Sequence, residues 1–471
     1  MDINMRSFKL FMCVSTLLAL LSGTTMAANL VPDKLSLPQA VSLALGGNAN
    51  LKSSELSHLT SLSKLRTAGF QTTYGIGSDL GLEHTPDDNS VSSLLFGNVT
   101  YKNQLGTEAS VDLSPLGTGS NRGGIGLQIK HPLMRGKGSL SPMAENVKSA
   151  QSDVNISSRE YHQSGQDIAA SVIRTYYNAV LAKEEVSVQE KAVGFAQAAY
   201  DSASKREQAG LIAGIEVTRA ETSLAQTKDG LQIQRQFAKG AIDRLMLAIG
   251  FGVGTTPELV DNVPEPDSLP AIPSIDDAIH TALKNRSELG VYDTRLSDQQ
   301  RRLALAEDQL KPALNLVAGY NSTNRDSGAI SSSLFSLASF STGVQLTFPL
   351  DMRTAREERK IAERGLDVLK DQRTYKEDQI ADEIRSAYRS LESAKTSISI
   401  YSQNLNAAEE RLHMAQRMLE EGLGSNREEL EAREALIQVQ SSLLSAKKDY
   451  YLASVDLSYA MGEDITRIGL K

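Results

Sequence analysis

The sequence contains one structural plan twice, and this internal duplication restricts the possible folds more than any other feature. The clearest match is between GLQIKHPL at 126–133 and GVQLTFPL at 343–350, which aligns Pro132 with Pro349. Further matches follow the same order along the chain: 37–51 with 275–289, Gly210-Leu211 with Gly422-Leu423, and Gly250 with Gly462. The offset between matched residues is larger at 37–51 than at 126–133. The first copy therefore has the longer middle region.

The beginning of the chain has the pattern of a secretory signal peptide. Arg6 and Lys9 precede an apolar stretch from Leu10 to Leu21, and small residues follow it. A transmembrane anchor is the alternative, but the stretch is short and lacks a stop-transfer flank. Cys13 is the single cysteine and lies inside this segment, so we expect an exported chain without disulfides, thiol nucleophiles or cysteine metal sites.

These patterns predict four segments: a signal peptide over 1–28, a first structural repeat over 29–263, a proline-rich connector over 264–273 and a second repeat over 274–471. The 57 acidic residues outnumber the 49 basic ones, and no Lys/Arg block is present, which disfavours a nucleic-acid-binding protein. The only long apolar run is the N-terminal one, which excludes a membrane protein with many helical spans.

Short segments of each repeat alternate between apolar and polar residues, which predicts β-strands with two different faces. These segments are 71–84, 125–130, 314–320 and 343–348. In the second of them, Ile125, Leu127 and Ile129 alternate with glycine, glutamine and lysine. Alternation alone favours a soluble sheet packed on a core, and a barrel with apolar residues toward lipid and polar residues toward a lumen remains the alternative.

Most of the remaining chain has the apolar spacing of long helices. The segments 142–209 and 352–421 are each long enough to reach about 100 Å as continuous helices. Shorter helices are predicted at 41–70, 213–250, 275–311 and 425–461. In each repeat the two shorter helices together match the length of the long one, so we expect them to stack end to end beside it in a closed wall of helices.

The order of helix, strand pair, long helix, glycine turn and helix, repeated twice behind a signal peptide, resembles the TolC-type outer-membrane efflux proteins. QIKHPLMRG and QLTFPL resemble the strand-to-helix junctions of that family, at Pro132 and Pro349. GLIAGIEVTRA and GLGSNREELEA resemble its helical hairpin turns. The resemblance covers nearly the whole mature chain.

The resemblance implies an α+β membrane protein in the outer membrane of a Gram-negative bacterium. Three identical subunits with four strands each would form one 12-stranded β-barrel, continuous with a long α-helical barrel in the periplasm. The implied function is a passive exit duct of a tripartite efflux or type I secretion system, fed by an inner-membrane pump through a periplasmic adaptor. A periplasmic coiled-coil spacer or surface stalk without a pore is the alternative. The long segment 86–122 departs from the family pattern, either as an extended membrane strand or as an extra hairpin.

The sequence offers no candidate for catalysis, because its six histidines are scattered and no metal-binding spacing occurs. We therefore expect no enzyme activity, no cofactor and no metal site. The transported substrate, whether a drug, a metal ion or a polypeptide, is not determined by any motif.

The resemblance assigns three acids to the periplasmic entrance: Glu216, Glu428 and Glu431. In a trimer each would form a ring that attracts cations, whereas the plainer interpretation is that these carboxylates complement the dipoles of their helices. The adaptor-docking turns implied by the family are Gly210-Leu211 and Gly422-Leu423, where glycine is also needed for the tight reversal. Gly424 stands where some family members have an arginine that helps to latch the entrance, and Arg427 is a weak substitute.

Overall fold

The computed structural model describes residues 32–69, 71–85, 88–116, 124–266, 272–323, 338–348, 350–421 and 423–467. The predicted signal peptide, Pro349 and Gly422 lie outside the described residues. The helices are α1 (Leu37–Gly47), α2 (Ala49–Ala68), α3 (Pro142–Gln208), α4 (Gly214–Ile249), α5 (Ile275–Asn285), α6 (Ser287–Gln309), α7 (Arg353–Glu420) and α8 (Asn426–Ala460). The strands are β1 (Lys34–Leu35), β2 (Gln71–Thr85), β3 (Asp88–Lys102), β4 (Glu108–Leu116), β5 (Gly124–Pro132), β6 (Glu258–Leu259), β7 (Ala313–Thr323) and β8 (Ala338–Thr347).

The two long helices have the lengths that the sequence predicts. α3 has 67 residues and α7 has 68, so each reaches about 100 Å at a rise of about 1.5 Å per residue. α3 begins at the predicted cap, where the Ser141 hydroxyl accepts a hydrogen bond from the Ala144 backbone N–H and Pro142 occupies the first helical position. Among the described residues, none of the helices combines the length and the apolar composition needed to cross a bilayer.

The shorter helices of the first repeat meet end to end, as predicted. α4 ends at Gly250, whose φ of 98° gives it a left-handed conformation. A Cβ atom on Gly250 would lie 3.4 Å from the carbonyl group of Gly47, where α1 ends. The side chain of Asn48, between α1 and α2, donates a hydrogen bond to the carbonyl of Ala248 at 3.2 Å.

The second repeat has the matching joint at Gly462, which has a φ of 71° and lies just beyond the end of α8. A Cβ atom there would lie 3.1 Å from the backbone nitrogen of Arg286. The sequence predicts one continuous helix at the start of each repeat, and the structure divides each of them in two. The break in 41–70 is at Asn48 and the break in 275–311 is at Arg286, and both residues have an extended backbone. The internal duplication is confirmed in the order of elements and in these equivalent joints.

The largest core lies where α3 passes the first joint. Tyr176 is fully buried there, and its hydroxyl donates a hydrogen bond to the carboxylate of Asp261 at 2.6 Å. The same carboxylate accepts the backbone N–H of Leu37 at 2.8 Å. β1, just before α1, pairs in parallel with β6, which follows α4. This pairing and the contacts of Asp261 together hold the chain after α4 against the start of α1. A second core contains Ile380, Ile384 and Leu391 of α7 with α5 and α8.

Within the described part of the chain, the other six strands form one antiparallel sheet in the order β2-β3-β4-β5-β7-β8, and the β5–β7 pair joins the two repeats. The sequence led us to expect four strands, and the sheet has six. The difference lies in the first middle region, where β3 and β4 pair with each other along 97–102 and 108–113. Of the two interpretations left open for 86–122, the structure therefore shows an additional hairpin.

Candidate functional site: a two-faced sheet and the helical tips

The strand register gathers apolar side chains on one face of the sheet. One row across the strands runs through Val99, Val111, Leu127, Tyr320 and Phe340. Leu127 is 41% exposed and Phe340 is 75% exposed, although both belong to an ordered sheet. Other apolar residues that are exposed on these strands are Tyr101, Leu113, Ile129, Leu316, Val344 and Leu346. An exposed apolar surface of this extent is typical of contact with a membrane or another protein.

The opposite face of the same sheet carries small and polar side chains. Its central row runs through Thr100, Ser110, Gln128, Gly319 and Ser341. A neighbouring row joins Lys102 to Glu108 by a salt bridge of 2.7 Å and continues to Lys130. Antiparallel strands of 9–15 residues that alternate in this way match the pattern of a membrane barrel, with lipid outside and water inside.

The junction between sheet and helix is tightly built at Pro132, the last residue of β5. Pro132 is buried, and the next residue, Leu133, donates its backbone N–H to the carbonyl of Leu314 at 2.7 Å. Asp308, also buried, accepts the N–H of Gly136 at 2.7 Å and pairs with Lys311 at 3.0 Å. Proline suits this place because the chain leaves the β ladder there and needs no further donor.

The first helical hairpin reverses at Gly210, which has a φ of 71°. Its N–H bonds to the carbonyl of Glu207 at 2.8 Å, and the N–H of Leu211 bonds to the carbonyl of Arg206 at 2.8 Å. These bonds close the end of α3 with a left-handed glycine. The Leu211 side chain is 72% exposed and projects from the turn.

The second hairpin presents an equivalent apolar residue, Leu423, which is 73% exposed. The backbone N–H groups of Leu423 and Gly424 both bond to the carbonyl of Met418, at 2.8 and 2.9 Å. A Cβ atom on Gly424 would lie 3.0 Å from that of Met418, so the turn leaves little room for a side chain at this position.

The predicted entrance acids each have a partner within their own helix. Glu216 pairs with Arg219 at 2.6 Å, and Glu431 pairs with Arg427 at 2.7 Å. The hydrogen bond and the charge of Glu431 raise the pKa of Arg427, and the more distant charge of Glu216 adds to this effect. Glu428 caps α8, because its carboxylate accepts the backbone N–H of Ser425 at 3.0 Å.

The tips of α4 and α8 face each other across a groove of about 310 Å³. Its lining includes Ile215, Arg219, Arg427, Leu430 and Glu431. Acids, arginines and apolar side chains therefore alternate along one surface. The structure brings Glu216 and Glu431 to this end of the molecule together, and their net charge is largely balanced within one subunit.

Sequence reasoning missed a buried charge pair close to the tips. Glu429 is 9% exposed and forms a salt bridge with Arg433, whose guanidinium lies 5.0 Å from the centre of the Phe195 ring on α3. The spacing of Glu429 and Arg433 by four residues was a visible helical signal. The contact with Phe195 was not visible, because it joins the two repeats.

Residues 95–250 and 278–463 match the family model described as outer membrane efflux protein. The chain belongs to the outer membrane efflux protein family. As in that family, the protein is an outer-membrane channel protein of Gram-negative bacteria, and its helical part lies in the periplasm. No curated protein sequence matches the chain.

Solved structures of outer-membrane channels share its fold. A crystal structure of CusC, reported for its folding and transmembrane channel formation, has a TM-score of 0.70 at 16% identity and covers 91% of this chain and 92% of its own. VceC from Vibrio cholerae has a TM-score of 0.68 at 15% identity, with 91% and 96% covered. The open state of MtrE from Neisseria gonorrhoeae has a TM-score of 0.69 at 14% identity, with 91% and 89% covered.

Within the described residues, no group of three or more His, Cys, Asp and Glu side chains is placed to hold a metal ion.

Proposed function

We propose that the protein is the homotrimeric exit duct of an efflux or type I secretion system, and that it conducts substrates passively without enzyme activity. The observation that carries this proposal is the two-faced sheet, whose strands lead directly into helices of about 100 Å. A periplasmic spacer would need such helices, but it would not need an exposed apolar sheet face. A lipid-facing barrel accounts for both features.

An apolar stripe along α7 supports assembly from identical subunits. Ile361, Val368 and Tyr375 recur every seven residues and are 69%, 53% and 65% exposed in the single subunit. Apolar residues at a heptad spacing normally lie against another helix. Exposed apolar residues on α2, Leu56 and Leu59, supply a second apolar surface on the first repeat, also on the sheet side of the helix joints. Three subunits placed side by side would cover both surfaces and close the wall of helices.

The hairpin turns support a periplasmic adaptor as the partner. Leu211 and Leu423 both project from the periplasmic end, next to the groove between α4 and α8. Exposed leucines at a helical tip suit a second set of helical tips, which would exclude water from them. In this proposal the adaptor joins the duct to an inner-membrane pump, and that pump supplies the energy for transport.

A pair of neighbouring substitutions tests the channel. Leu127→Lys places a charge on the apolar face, at a cost of about 2–4 kcal/mol if that face meets the bilayer midplane. Gln128→Lys places the same charge on the polar face. We expect only Leu127→Lys to prevent assembly in outer-membrane fractions, and Gln128→Lys to assemble and lower cation conductance in planar bilayers. Release of the unmodified protein in soluble form by osmotic shock would contradict the proposal.

A further inference from the structure

Two of the strands in the first repeat have no counterpart among the described residues of the second. β2 follows α2 as β7 follows α6, and β5 leads toward α3 as β8 leads toward α7. β3 and β4 therefore form an inserted hairpin, residues 88–116, within the longer middle region of the first repeat.

The inserted hairpin is continuous with the sheet on both sides. β3 pairs with β2 over its whole length, from Lys102 to Asp88, and β4 pairs with β5 from Glu108 to Leu113. The faces also remain in phase. On β4, Val111 extends the apolar row of the sheet, and the preceding residue extends the polar row. The inserted hairpin is therefore a continuous part of the sheet and does not fold across one of its faces.

The turn of the inserted hairpin is anchored at the level where β5 leaves the sheet. The carbonyl of Leu105 accepts the N–H of Gly138 at 3.1 Å, and the carbonyl of Gln104 accepts the Ser141 hydroxyl at 2.6 Å. Gly106, with a φ of 89°, packs so closely that a Cβ atom would lie 2.8 Å from the Pro132 ring. The turn thus sits at the periplasmic end of the sheet, and β3 and β4 rise from the same level as β5.

The two edges of the sheet suit closure by further copies of the chain. The sheet has six antiparallel strands, so its first strand, β2, and its last strand, β8, run in opposite directions. The β8 edge of one subunit can therefore pair with the β2 edge of the next in the antiparallel arrangement of the rest. In lipid such edges must pair, because their backbone groups find no other partner.

We infer that the trimer forms an eighteen-stranded membrane barrel, and that its lumen is wide enough to admit hydrophilic solutes as large as a small folded peptide. The inference rests on the homotrimer of the proposed function, and it replaces the twelve strands that the family resemblance implied. The greater width of the barrel comes from the inserted hairpin, which supplies two strands from each subunit.

The increase in width is large. With strands about 4.8 Å apart and tilted by about 40°, eighteen strands give a backbone diameter of about 36 Å, against about 24 Å for twelve. Side chains take up roughly 5 Å on each side, which leaves lumen radii of about 13 Å and about 7 Å. Small residues on the polar face, such as Ser110, Gly319 and Ser341, keep this space open.

Polymer exclusion in planar bilayers tests the width. Polyethylene glycols of graded size are added only to the side of the extracellular loops, so that they enter the barrel even where the periplasmic tips are narrower. We expect polymers with a hydrodynamic radius of about 10 Å to lower the single-channel conductance, because they fit the wider lumen. A conductance that responds to polymers below about 6 Å and ignores those of 10 Å would overturn the inference.

Spin labelling tests the position of the inserted hairpin directly. Single cysteines are introduced into β4 at 109–113, with β5 at 125–129 as the matched control, in a chain whose natural cysteine, Cys13, lies in the predicted signal peptide. We expect labels at Ala109, Val111 and Leu113 to be accessible to oxygen dissolved in lipid, and labels between them to a water-soluble nickel chelate. Aqueous accessibility at all five β4 positions, with alternation kept in β5, would overturn the inference.

A failure of the proposed function and a failure of this inference give different experimental results. Absence of any channel in bilayers would overturn the proposed function, and the inference with it. A channel that forms normally but has the narrow exclusion limit would overturn the inference alone.

Discussion

Arg206, in the last turn of α3, donates a hydrogen bond from its guanidinium to the backbone carbonyl of Leu419, in the last turn of α7, at 2.9 Å. The carbonyls of a last helical turn lack the usual N–H donor four residues further on, so the guanidinium supplies a charged donor to an acceptor that otherwise receives only the N–H of Glu421. It joins the hairpin tips of the two repeats. The tips of one subunit are therefore coupled before any partner binds.

We expect Arg206→Ala to loosen this coupling and to increase the fraction of time that the channel is open. A hydrogen bond from a charged group contributes about 1.5–3 kcal/mol, so the open-to-closed ratio is expected to rise by a factor of about 10 to 100. Single-channel recording measures this ratio. Lys205→Ala is the control, because Lys205 is an exposed neighbour on the same turn. Equal open fractions in the two variants would show that the Arg206 bond does not hold the tips.

The charge pairs at the tips predict opposite effects of two substitutions that each remove one charge. Glu431→Gln leaves Arg427 without its carboxylate, so we expect cation selectivity to fall. Arg427→Gln leaves the acid uncompensated, so we expect selectivity to rise. The reversal potential in a KCl gradient measures both. Shifts of the same sign in both variants would exclude an electrostatic role of this pair at the entrance.

The glycines at the two joints are required by their backbone conformations. We expect Gly250→Ala and Gly462→Ala each to lower the free energy of unfolding by about 1–2 kcal/mol, because alanine in the left-handed region is strained. Gly240→Ala is the control: Gly240 lies within α4 with open space around its Cβ position, and alanine there is expected to stabilise the helix by up to about 1 kcal/mol. Thermal unfolding in detergent measures all three, and a stabilising effect at Gly250 would contradict the assignment.

Tyr176 predicts a dependence on alkaline pH. Burial and the hydrogen bond to Asp261 raise the pKa of Tyr176 well above the value of about 10 that an unfolded tyrosine has. The folded chain keeps this proton where the unfolded chain releases it, so the contribution of Tyr176 is complete below about pH 10 and is lost as the pH rises further. We expect Tyr176→Phe to cost about 1–3 kcal/mol at neutral pH, because Asp261 loses a donor, and to make the loss of stability above pH 10 shallower.

Melting temperatures measured from pH 7 to pH 11 check this prediction. Tyr375→Phe removes a hydroxyl from a tyrosine outside the core that surrounds Tyr176 and serves as the control. An unchanged pH slope in Tyr176→Phe, together with an unchanged stability at pH 7, would contradict the role of the Asp261 bond.

The helices could be predicted from the sequence because their signals are local. The Ser141 cap and the glycine at 210 gave the bounds of α3, and helical spacing gave those of α7. The division at Arg286 could not be predicted. It depends on a guanidinium that is buried between Glu288 and Glu383, and Glu383 lies on a distant helix.

The alternation of apolar and polar residues located four of the strands in the sequence, but it did not give their total number. β3 contains the run Leu94-Leu95-Phe96, which interrupts the alternation, and a bulge separates Leu95 from Gly97 in its pairing with β4. Whether the apolar face meets a core or lipid depends on what lies across from it, and that is a property of the folded chain. The partners of the tip acids were within reach of a sequence argument, since each pair is three or four residues apart.

The two joints between shorter helices, at Gly250 and Gly462, lie at the same height along α3. Gly165 of α3 faces α1 beside the first joint, and Gln163 bonds to Ser287 beside the second. Among the helices that the structure describes, only α3 and α7 pass this height unbroken. A rotation at the periplasmic tips is therefore carried toward the sheet by α3 and α7, the two helices that are continuous across the level of the joints.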